Sequence, residues 1–162
     1  MLIDIKTAQI GIDWRKFTSE LFVSKEEADF VVIVSDKEKG DQEIKLHSYV
    51  LRSRIPDFAN ILKHDLKERG ERIVRITDFS LDVINSFFEF AYCGTATNIE
   101  ELACELLKVA DKYNFGELKE ICSEKIGKNL NVENAASVCS IAFFAQAEEL
   151  LKLAKDFIMK PE

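Results

Sequence analysis

The side chains best suited to acid–base catalysis or metal binding are scarce in this sequence of 162 residues. It contains two histidines, His47 and His64, and neither has a second histidine or a cysteine close to it in the chain. Because a metal site needs several such ligands together, we interpret His47 as a half-buried structural residue that forms hydrogen bonds. None of the patterns HExxH, GxSxG, GxxxxGKS/T and GxGxxG occurs. The sequence therefore predicts a protein that is not an enzyme and has no catalytic residue, cofactor or metal site.

Four cysteines are the other residues that could bind a metal ion or form disulfides. Cys93, Cys104, Cys122 and Cys139 are far apart in the sequence, and no two of them form a CxxC pair. Each lies within an apolar pattern typical of a helix. We therefore interpret them as small buried hydrophobic residues of a protein in a reducing compartment.

Composition and charge exclude several classes of partner. A net charge of −7 and a pI near 5.0 argue against nucleic-acid binding, because phosphate contacts require clustered Lys and Arg residues. The start, MLIDIKTAQ, has no long apolar stretch, so we expect no secretory signal and no membrane interaction. The expectation is an intracellular protein of the nucleus or cytoplasm. The 12 phenylalanines indicate an aromatic core and an apolar surface for a partner.

Hydrophobic spacing predicts the first elements that would position such a surface. Near the start of the chain, Trp14, Phe17 and Leu21 recur at the steps of three and four that place side chains on one helix face. The β-branched run 29–35 and the alternating run 43–47 predict two strands. The polar residues between these runs predict a turn, so the two strands are expected to form a hairpin.

Proline, serine and glycine mark the boundaries of the next elements. Pro56 is expected to split a helical stretch that begins at Ser48, because proline disfavours a helical conformation in the residue before it. Residues 72–76 predict a short third strand. A further helix is predicted from an N-cap at Ser80 to an end near Gly94.

The rest of the chain has the pattern of helices alone. Asn98 and Glu101 resemble a capping box for the first of them. This order of elements indicates an α+β fold, with a small, mostly three-stranded sheet flanked by helices and a helical extension at the C-terminus. We divide the chain into an N-terminal strand or linker at 1–12, a domain at 13–128 and the extension at 129–162.

Five segments in this order resemble the BTB/POZ domain family, over residues 14–158. The last segment resembles the short helical extension, the 3-box or start of a BACK-like region, that follows this domain in speckle-type POZ proteins. The resemblance implies structural roles for Asp29 and His47. The matching segments are ADFVVIV with Asp29, HSYVLRSRIPDF (47–58), FFEFAYCGTA (87–96), LLKVADKYNFGELKEIC (106–122) and NVENAASVCSIAFFAQAEELLKLAKDFI (131–158).

The resemblance also implies a homodimer. Trp14, Phe17 and Leu21 match the family's first helix, which packs against the partner subunit, and Val50 matches an aliphatic dimer contact. The alternative is that these residues close the core of their own subunit. We favour the dimer, because a terminal helix has little left to pack on within its subunit.

Many members of the family link a substrate to a cullin-RING E3 ubiquitin ligase, and the resemblance implies this adaptor function through the N-terminal region of the third cullin. Cullin-binding members have a hydrophobic residue, any residue and a glutamate in the loop before the third strand, where this chain has Leu66, Lys67 and Glu68. Leu66 would be buried in the partner's groove, and Glu68 would fix the loop. Tyr113 and Asn114 match residues that build the rest of that groove.

Two features leave the partner open. Repressor members have a basic residue directly after the histidine, paired with the aspartate, whereas this chain has Ser48, so corepressor recruitment of that kind is not expected. No substrate-binding domain of the meprin or kelch type is recognisable, so the substrate is unknown. The alternative function is a self-association scaffold, transcriptional or structural, that binds no cullin.

Overall fold

The computed structural model of the chain describes residues 14–68 and 72–160, with the backbone alone for residues 64–68. The strand or linker predicted at 1–12 lies outside the described residues. The strands are β1 (Phe30–Asp36), β2 (Gly40–Leu46) and β3 (Ile73–Ile76). The helices are α1 (Trp14–Ser24), α2 (Ser48–Arg54), α3 (Pro56–Glu68), α4 (Leu81–Cys93), α5 (Ala103–Lys112), α6 (Gly116–Lys128), α7 (Ala135–Phe144) and α8 (Glu148–Met159).

Strand β1 is the centre of a three-stranded sheet with the order β2-β1-β3. It pairs antiparallel with β2 and parallel with β3. In the hairpin turn, Oδ1 of Asp36 accepts hydrogen bonds from the N–H groups of Glu38 and Lys39 at 2.9 and 3.0 Å. Gly40 then begins β2 with a φ of 70°, a conformation that glycine adopts without steric cost. The predicted hairpin and third strand are confirmed.

The predicted break at Pro56 is confirmed as well. Ile55 is extended, with φ −122° and ψ 105°, and Pro56 is the first residue of α3, where a missing N–H costs no hydrogen bond. Helix α3 continues to Glu68, so the segment that begins at Leu66 lies in its last turn rather than in the predicted loop. The reason is local, because the stretch KHDLKE is rich in good helix formers.

Helix α4 is the centre of the core, with eight of its 13 residues buried. The hydroxyl of Ser80 accepts a hydrogen bond from the N–H of Val83 at 3.5 Å, which is the predicted N-cap. Gly94 ends the helix with a φ of 71°. A Cβ at Gly94 would lie 2.9 Å from Nε of Arg15, a flexible side chain that can move, so it is the positive φ that favours glycine there.

Aromatic rings from several elements form the core that the phenylalanine content predicts. The ring of Phe58 in α3 lies with its centroid 6.5 Å from Phe30 in β1, 5.7 Å from Phe88 in α4 and 5.1 Å from Tyr113 after α5. These distances are typical of favourable edge-to-face and tilted aromatic pairs. Phe58 thereby joins the sheet to the helical layer.

The helices after α4 occur in the predicted order, but the capping box at Asn98 and Glu101 is wrong. Helix α5 begins at Ala103, and residues 97–102 form turns. The N–H of Leu102 donates to the carbonyl of Asn98 at 3.0 Å, so the backbone closes a turn at the place where the sequence predicted a helix start. The first residue of the helix was therefore predicted too early.

Helices α7 and α8 form a pair that packs on the domain. Helix α7 begins at Ala135 rather than at residue 129, the first residue of the predicted extension. The cause is Asn131, whose Oδ1 accepts hydrogen bonds from the N–H groups of Glu133 and Asn134 and holds a turn. Helix α8 contacts both α7 and α6, and α7 contacts α5, so the C-terminal pair is attached to the domain.

The four cysteines are free in the structure. Cys122 is buried, whereas Cys93, Cys104 and Cys139 are half-buried. Burial raises the pKa of the Cys122 thiol to about 12, so this cysteine is protonated and unreactive at neutral pH. Its role as a small core hydrophobe agrees with the prediction.

Candidate protein-interaction surface

Helix α1 carries an apolar face that its own subunit covers only in part. None of the 11 residues of this helix is buried. Trp14 is 39% exposed and Phe17 60% exposed, and Leu21 on the same side is half-buried. We call these three residues the α1 face. Large apolar side chains clustered on the surface of a domain with an extensive core are typical of a site that binds another protein.

The neighbouring side of α1 is attached to α4. The hydroxyl of Thr18 donates a hydrogen bond to the backbone carbonyl of Tyr92, and the ring of Phe22 lies with its centroid 5.1 Å from the Tyr92 ring. The same hydroxyl, which has one hydrogen to donate, also lies 3.0 Å from the carbonyl of Trp14, the i−4 position that threonine often bonds in a helix. These contacts hold α1 in one orientation and leave the α1 face outward.

Arg54 of α2 packs against the ring of Trp14. Its guanidinium carbon lies 4.7 Å from the centroid of the Trp14 ring and 5.7 Å from that of Phe115. Nε donates to the carbonyl of Ala91 at 3.1 Å, and a terminal nitrogen binds Glu117 at 2.8 Å. Arg54 is therefore fixed by two hydrogen bonds while it stacks on Trp14, which makes the exposed ring a preformed anchor.

Val50, the fourth residue predicted to contact a partner subunit, has a different position. It is 2% exposed and belongs to the hydrophobic core of its own subunit. A side chain so completely covered offers little surface to a second subunit, which favours the alternative that Val50 closes the core of its own subunit. From the sequence, the alternative that all four predicted dimer residues close the core of their own subunit remained open.

His47 is at the centre of a buried hydrogen-bond network. It is 2% exposed, more buried than predicted. The Tyr92 hydroxyl accepts from the backbone N–H of His47 at 2.7 Å and lies 3.0 Å from Nδ1, while Nε2 lies 2.7 Å from the carbonyl of Glu26. One arrangement satisfies every group: Nε2 donates to Glu26, and the tyrosine donates to Nδ1. The network ties α4 to the segment between α1 and β1.

Asp29 accepts three hydrogen bonds just before the sheet begins. The N–H and the hydroxyl of Ser48 each donate at 2.7 Å, and the guanidinium of Arg72 donates at 2.6 Å. Burial acts to raise the pKa of Asp29, but the bonds from Ser48 and the charge of Arg72 outweigh it, so the pKa lies below its usual value. The basic partner that repressor members place directly after the histidine is here supplied by Arg72, from the other side of the sheet.

The residues predicted to bind a cullin lie around α3 and the end of α5. Leu66 and Glu68 are in the last turn of α3, and their side chains are outside the described part of the structure. Tyr113 is 6% exposed and packs on Phe58 of α3, and burial raises the pKa of its hydroxyl. Asn114 is exposed and has a φ of 54°. Only Asn114 of this set has a described side chain at the surface.

Sequence reasoning missed three residues that organise this region, namely Arg54, Arg72 and Tyr92. Their partners are far away in the chain: Arg54 binds Ala91, and Arg72 binds Asp29. Tyr92 was visible only as part of a motif, and nothing in the sequence connected it with His47. Contacts of this kind depend on the folded arrangement and leave no periodic signal.

A membrane-spanning helix and a metal site are both absent from residues 14–68 and 72–160. No helix there is long and apolar enough to cross a membrane. No cluster of three or more histidines, cysteines or carboxylates in this part of the chain could hold a metal ion.

An α+β domain with an uncovered apolar helix has the construction of a protein-interaction module. The family model described as "BTB/POZ domain" matches residues 18–130. The chain therefore belongs to the BTB/POZ domain family, whose members are protein-interaction modules that commonly self-associate. Among solved structures, the chain is similar to the BTB domain of zebrafish PATZ1, with a TM-score of 0.58 and 21% identity. The match covers 75% of this chain and 98% of that chain, and it supports the fold.

Proposed function

We propose that this BTB/POZ domain forms a homodimer through the α1 face and serves as an adaptor that links a substrate protein to a cullin-RING E3 ubiquitin ligase. The observation that carries the dimer is the exposure of Trp14 and Phe17 on a helix without a buried residue. A twofold dimer joins the same surface of both subunits, so a self-complementary apolar face is what it requires. Trp14, held on Arg54, is the natural anchor, because tryptophan is enriched among the residues that dominate binding energies.

The cullin contact is proposed at the end of α3 together with the turn after α5. Tyr113 packs on Phe58, and this contact brings the turn with the exposed Asn114 next to α3. Leu66 follows Phe58 by two helical turns, or about 12 Å along the axis. The turn with Asn114 and the helix that carries Leu66 and Glu68 are therefore neighbours in the fold, which supports a partner site built from both. In this proposal, Leu66 is buried against the third cullin and Glu68 fixes the end of the helix.

Helices α7 and α8 are proposed to be the extension found in speckle-type POZ proteins, which divides the chain into a domain at 13–128 and an extension at 129–162. Helix α7 supports this assignment, because its sequence AASVCSIAFF is apolar on nearly every side while Phe143 and Phe144 remain exposed. A helix that is apolar all round is normally buried. The exposed end of α7 is therefore what we expect of a helix that is covered by other parts of a larger assembly.

Calorimetric titration with the N-terminal region of the third cullin tests the adaptor function. We expect binding of one cullin per subunit, and loss of binding in Leu66→Glu, because a buried charge at the interface has no partner. Asn60→Glu is the matched control, since it adds the same single negative charge at an exposed position of α3 about 120° around the helix from Leu66. Sedimentation of each variant shows whether the dimer is retained.

Binding of Leu66→Glu as tight as that of the parent protein would contradict the proposed contact. A stable dimer that gives no heat with the cullin would contradict the adaptor function and support the alternative, a self-association scaffold with another partner.

A further inference from the structure

The outer side of α7 is exposed and carries no charge. Residues 134–147 contain no charged residue, although 31% of the chain is charged. The hydroxyl of Ser137 donates to the carbonyl of Asn134 at 2.8 Å, so it needs no partner outside its own helix. We define the α7 face as the five exposed residues of this helix, namely Ala136, Ser137, Ser140, Phe143 and Phe144.

Large and small side chains lie at opposite ends of the α7 face. Phe143 and Phe144 are 63% and 78% exposed, and their rings form an edge-to-face pair with centroids 5.6 Å apart. Ala136 and Ser137 are small and lie about 10 Å from this pair along the helix axis. Ser140 lies midway between the two ends, about 5 Å from each, and within about 60° of all four residues around the helix.

This arrangement is self-complementary. A twofold axis through Ser140, perpendicular to the helix, turns a second α7 antiparallel to the first and brings its large end over the small end. The rings of each copy then lie over Ala136 and Ser137 of the other, where the small side chains leave room for them. A twofold interface requires such a match between one surface and itself.

The charges around the face also favour a second copy over a charged partner. Lys108 and Asp111 of α5 lie beside Phe144 and Ser140, and they have opposite signs. Each has an ion-pair partner in its own subunit, since Lys108 binds Glu105 and Asp111 binds Lys119. Like residues meet near a twofold axis, so a surface that pairs with itself must keep charges away from that axis. The α7 face satisfies this condition.

We propose that the α7 face binds the α7 face of a second copy of this chain, antiparallel and with Ser140 on the twofold axis. This contact goes beyond the proposed function, which uses the α1 face and the cullin site. A subunit with two different twofold surfaces joins dimers into an open chain. The four rings of one α7 pair bury about 500 Å², less than the about 1,200 Å² of a stable interface, so we expect a weak contact that forms at high concentration.

Sedimentation velocity of the full chain from about 5 to about 500 μM tests this contact. We expect the average mass of the parent to rise beyond that of a dimer at the upper end of this range. Ser140→Glu places two like charges together on the axis, so we expect it to weaken this association at least about tenfold. Asn60→Glu, at an exposed position of α3, is the control and is expected to behave as the parent. A parent mass that stays constant, or that rises equally in Ser140→Glu, would overturn the proposal.

Phe17→Glu separates the two surfaces. With the α1 face disrupted, we expect the chain to pass from monomers to dimers through α7, and the double variant with Ser140→Glu to remain monomeric. If the proposed α1 contact fails instead, Phe17→Glu behaves as the parent, while Ser140→Glu still lowers the mass at high concentration.

Cross-linking tests the position of the axis without a change of charge. Ser140→Cys, oxidised with copper phenanthroline, is expected to form a covalent dimer at least about tenfold faster than Lys152→Cys, which is exposed on α8, because only residue 140 meets its own copy. Equal rates for the two variants, or for Ser140→Cys and the parent chain with its native cysteines, would overturn the proposal.

Discussion

Helices α1 and α4 are both rich in aromatic residues and pack on each other, yet they differ in how far their residues are buried. Eight residues of α4 are buried, including Phe87, Phe88 and Phe90, whereas α1 has none. The difference arises from what surrounds each helix. Helix α4 is covered by the sheet, by α2 and by α5, while α1 packs mainly on α4, with Arg54 of α2 against Trp14. Similar composition therefore closes a core in one helix and leaves a surface for a partner in the other.

A hydrophobic face left in water forgoes stabilisation that burial would supply, about 25 cal/mol per Å² of apolar area. Trp14 and Phe17 retain 39% and 60% of their exposure in the subunit. This unused stabilisation becomes available when a second molecule covers the face. The comparison therefore predicts that substitutions in α4 change folding and that substitutions in the α1 face change association.

The largest expected effect is the loss of stability when a ring of α4 is removed. Phe88→Ala creates a cavity beside Phe58, whose ring centroid lies 5.7 Å away, and we expect a loss of about 3–5 kcal/mol in the free energy of unfolding. Phe17→Ala in α1 is the matched control, with an expected loss below about 0.5 kcal/mol in the isolated subunit. Urea unfolding measured by circular dichroism checks both values, and equal losses would contradict the division between core and surface helix.

The second prediction concerns the hydroxyl of Tyr92, which joins α4 to His47. Tyr92→Phe leaves the buried N–H and Nδ1 of His47 without this partner, so we expect a loss of about 1–3 kcal/mol in unfolding free energy. Tyr49→Phe, at an exposed ring, is the control and is expected to have little effect. A Tyr92→Phe protein as stable as the parent would show that water replaces the hydroxyl.

The third prediction concerns the support of the α1 face by Arg54. Arg54→Met removes the hydrogen bonds to Ala91 and Glu117, and we expect a loss of about 1 kcal/mol in unfolding free energy. Trp14 is the single tryptophan of the chain, so its fluorescence reports on this support without labelling. We expect a red shift of emission in Arg54→Met at concentrations where the subunit is monomeric. Unchanged emission would mean that Trp14 does not depend on Arg54.

The smallest expected effect is the pH dependence from Asp29. Its pKa in the folded protein lies below the usual value of about 3.9, so its stabilising contribution is present above about pH 4 and is lost as the pH falls through the folded pKa. The group is a third exposed, and solvent screening keeps this contribution below about 1 kcal/mol. Asp29→Asn is expected to flatten the acid limb of the stability profile in urea titrations from pH 2 to about pH 6. A profile as steep as that of the parent protein would mean that other carboxylates, and not Asp29, cause the loss of stability in acid.

Local signals in the sequence predicted most of the fold, and long-range packing decided the rest. The break at Pro56, the N-cap at Ser80 and the end at Gly94 each follow from the conformational preference of one residue. The capping box at Asn98 failed because the chain forms backbone turns there, and the helix begins only at Ala103. For the interaction surface, Val50 shows what the sequence could not predict. The spacing of apolar residues does not distinguish a core position from an exposed one.

Sedimentation equilibrium of the parent chain and of Phe17→Glu tests the central claim, that the α1 face joins two subunits. Lys16→Glu is the control, because it also places a glutamate on α1, with a larger change of charge, at an exposed position about 100° around the helix from Phe17. We expect the parent and Lys16→Glu to be dimers, and Phe17→Glu to dissociate at least about 100-fold more readily with an unchanged circular dichroism spectrum. A monomeric parent chain, or a Phe17→Glu dimer as stable as the parent, would contradict the account.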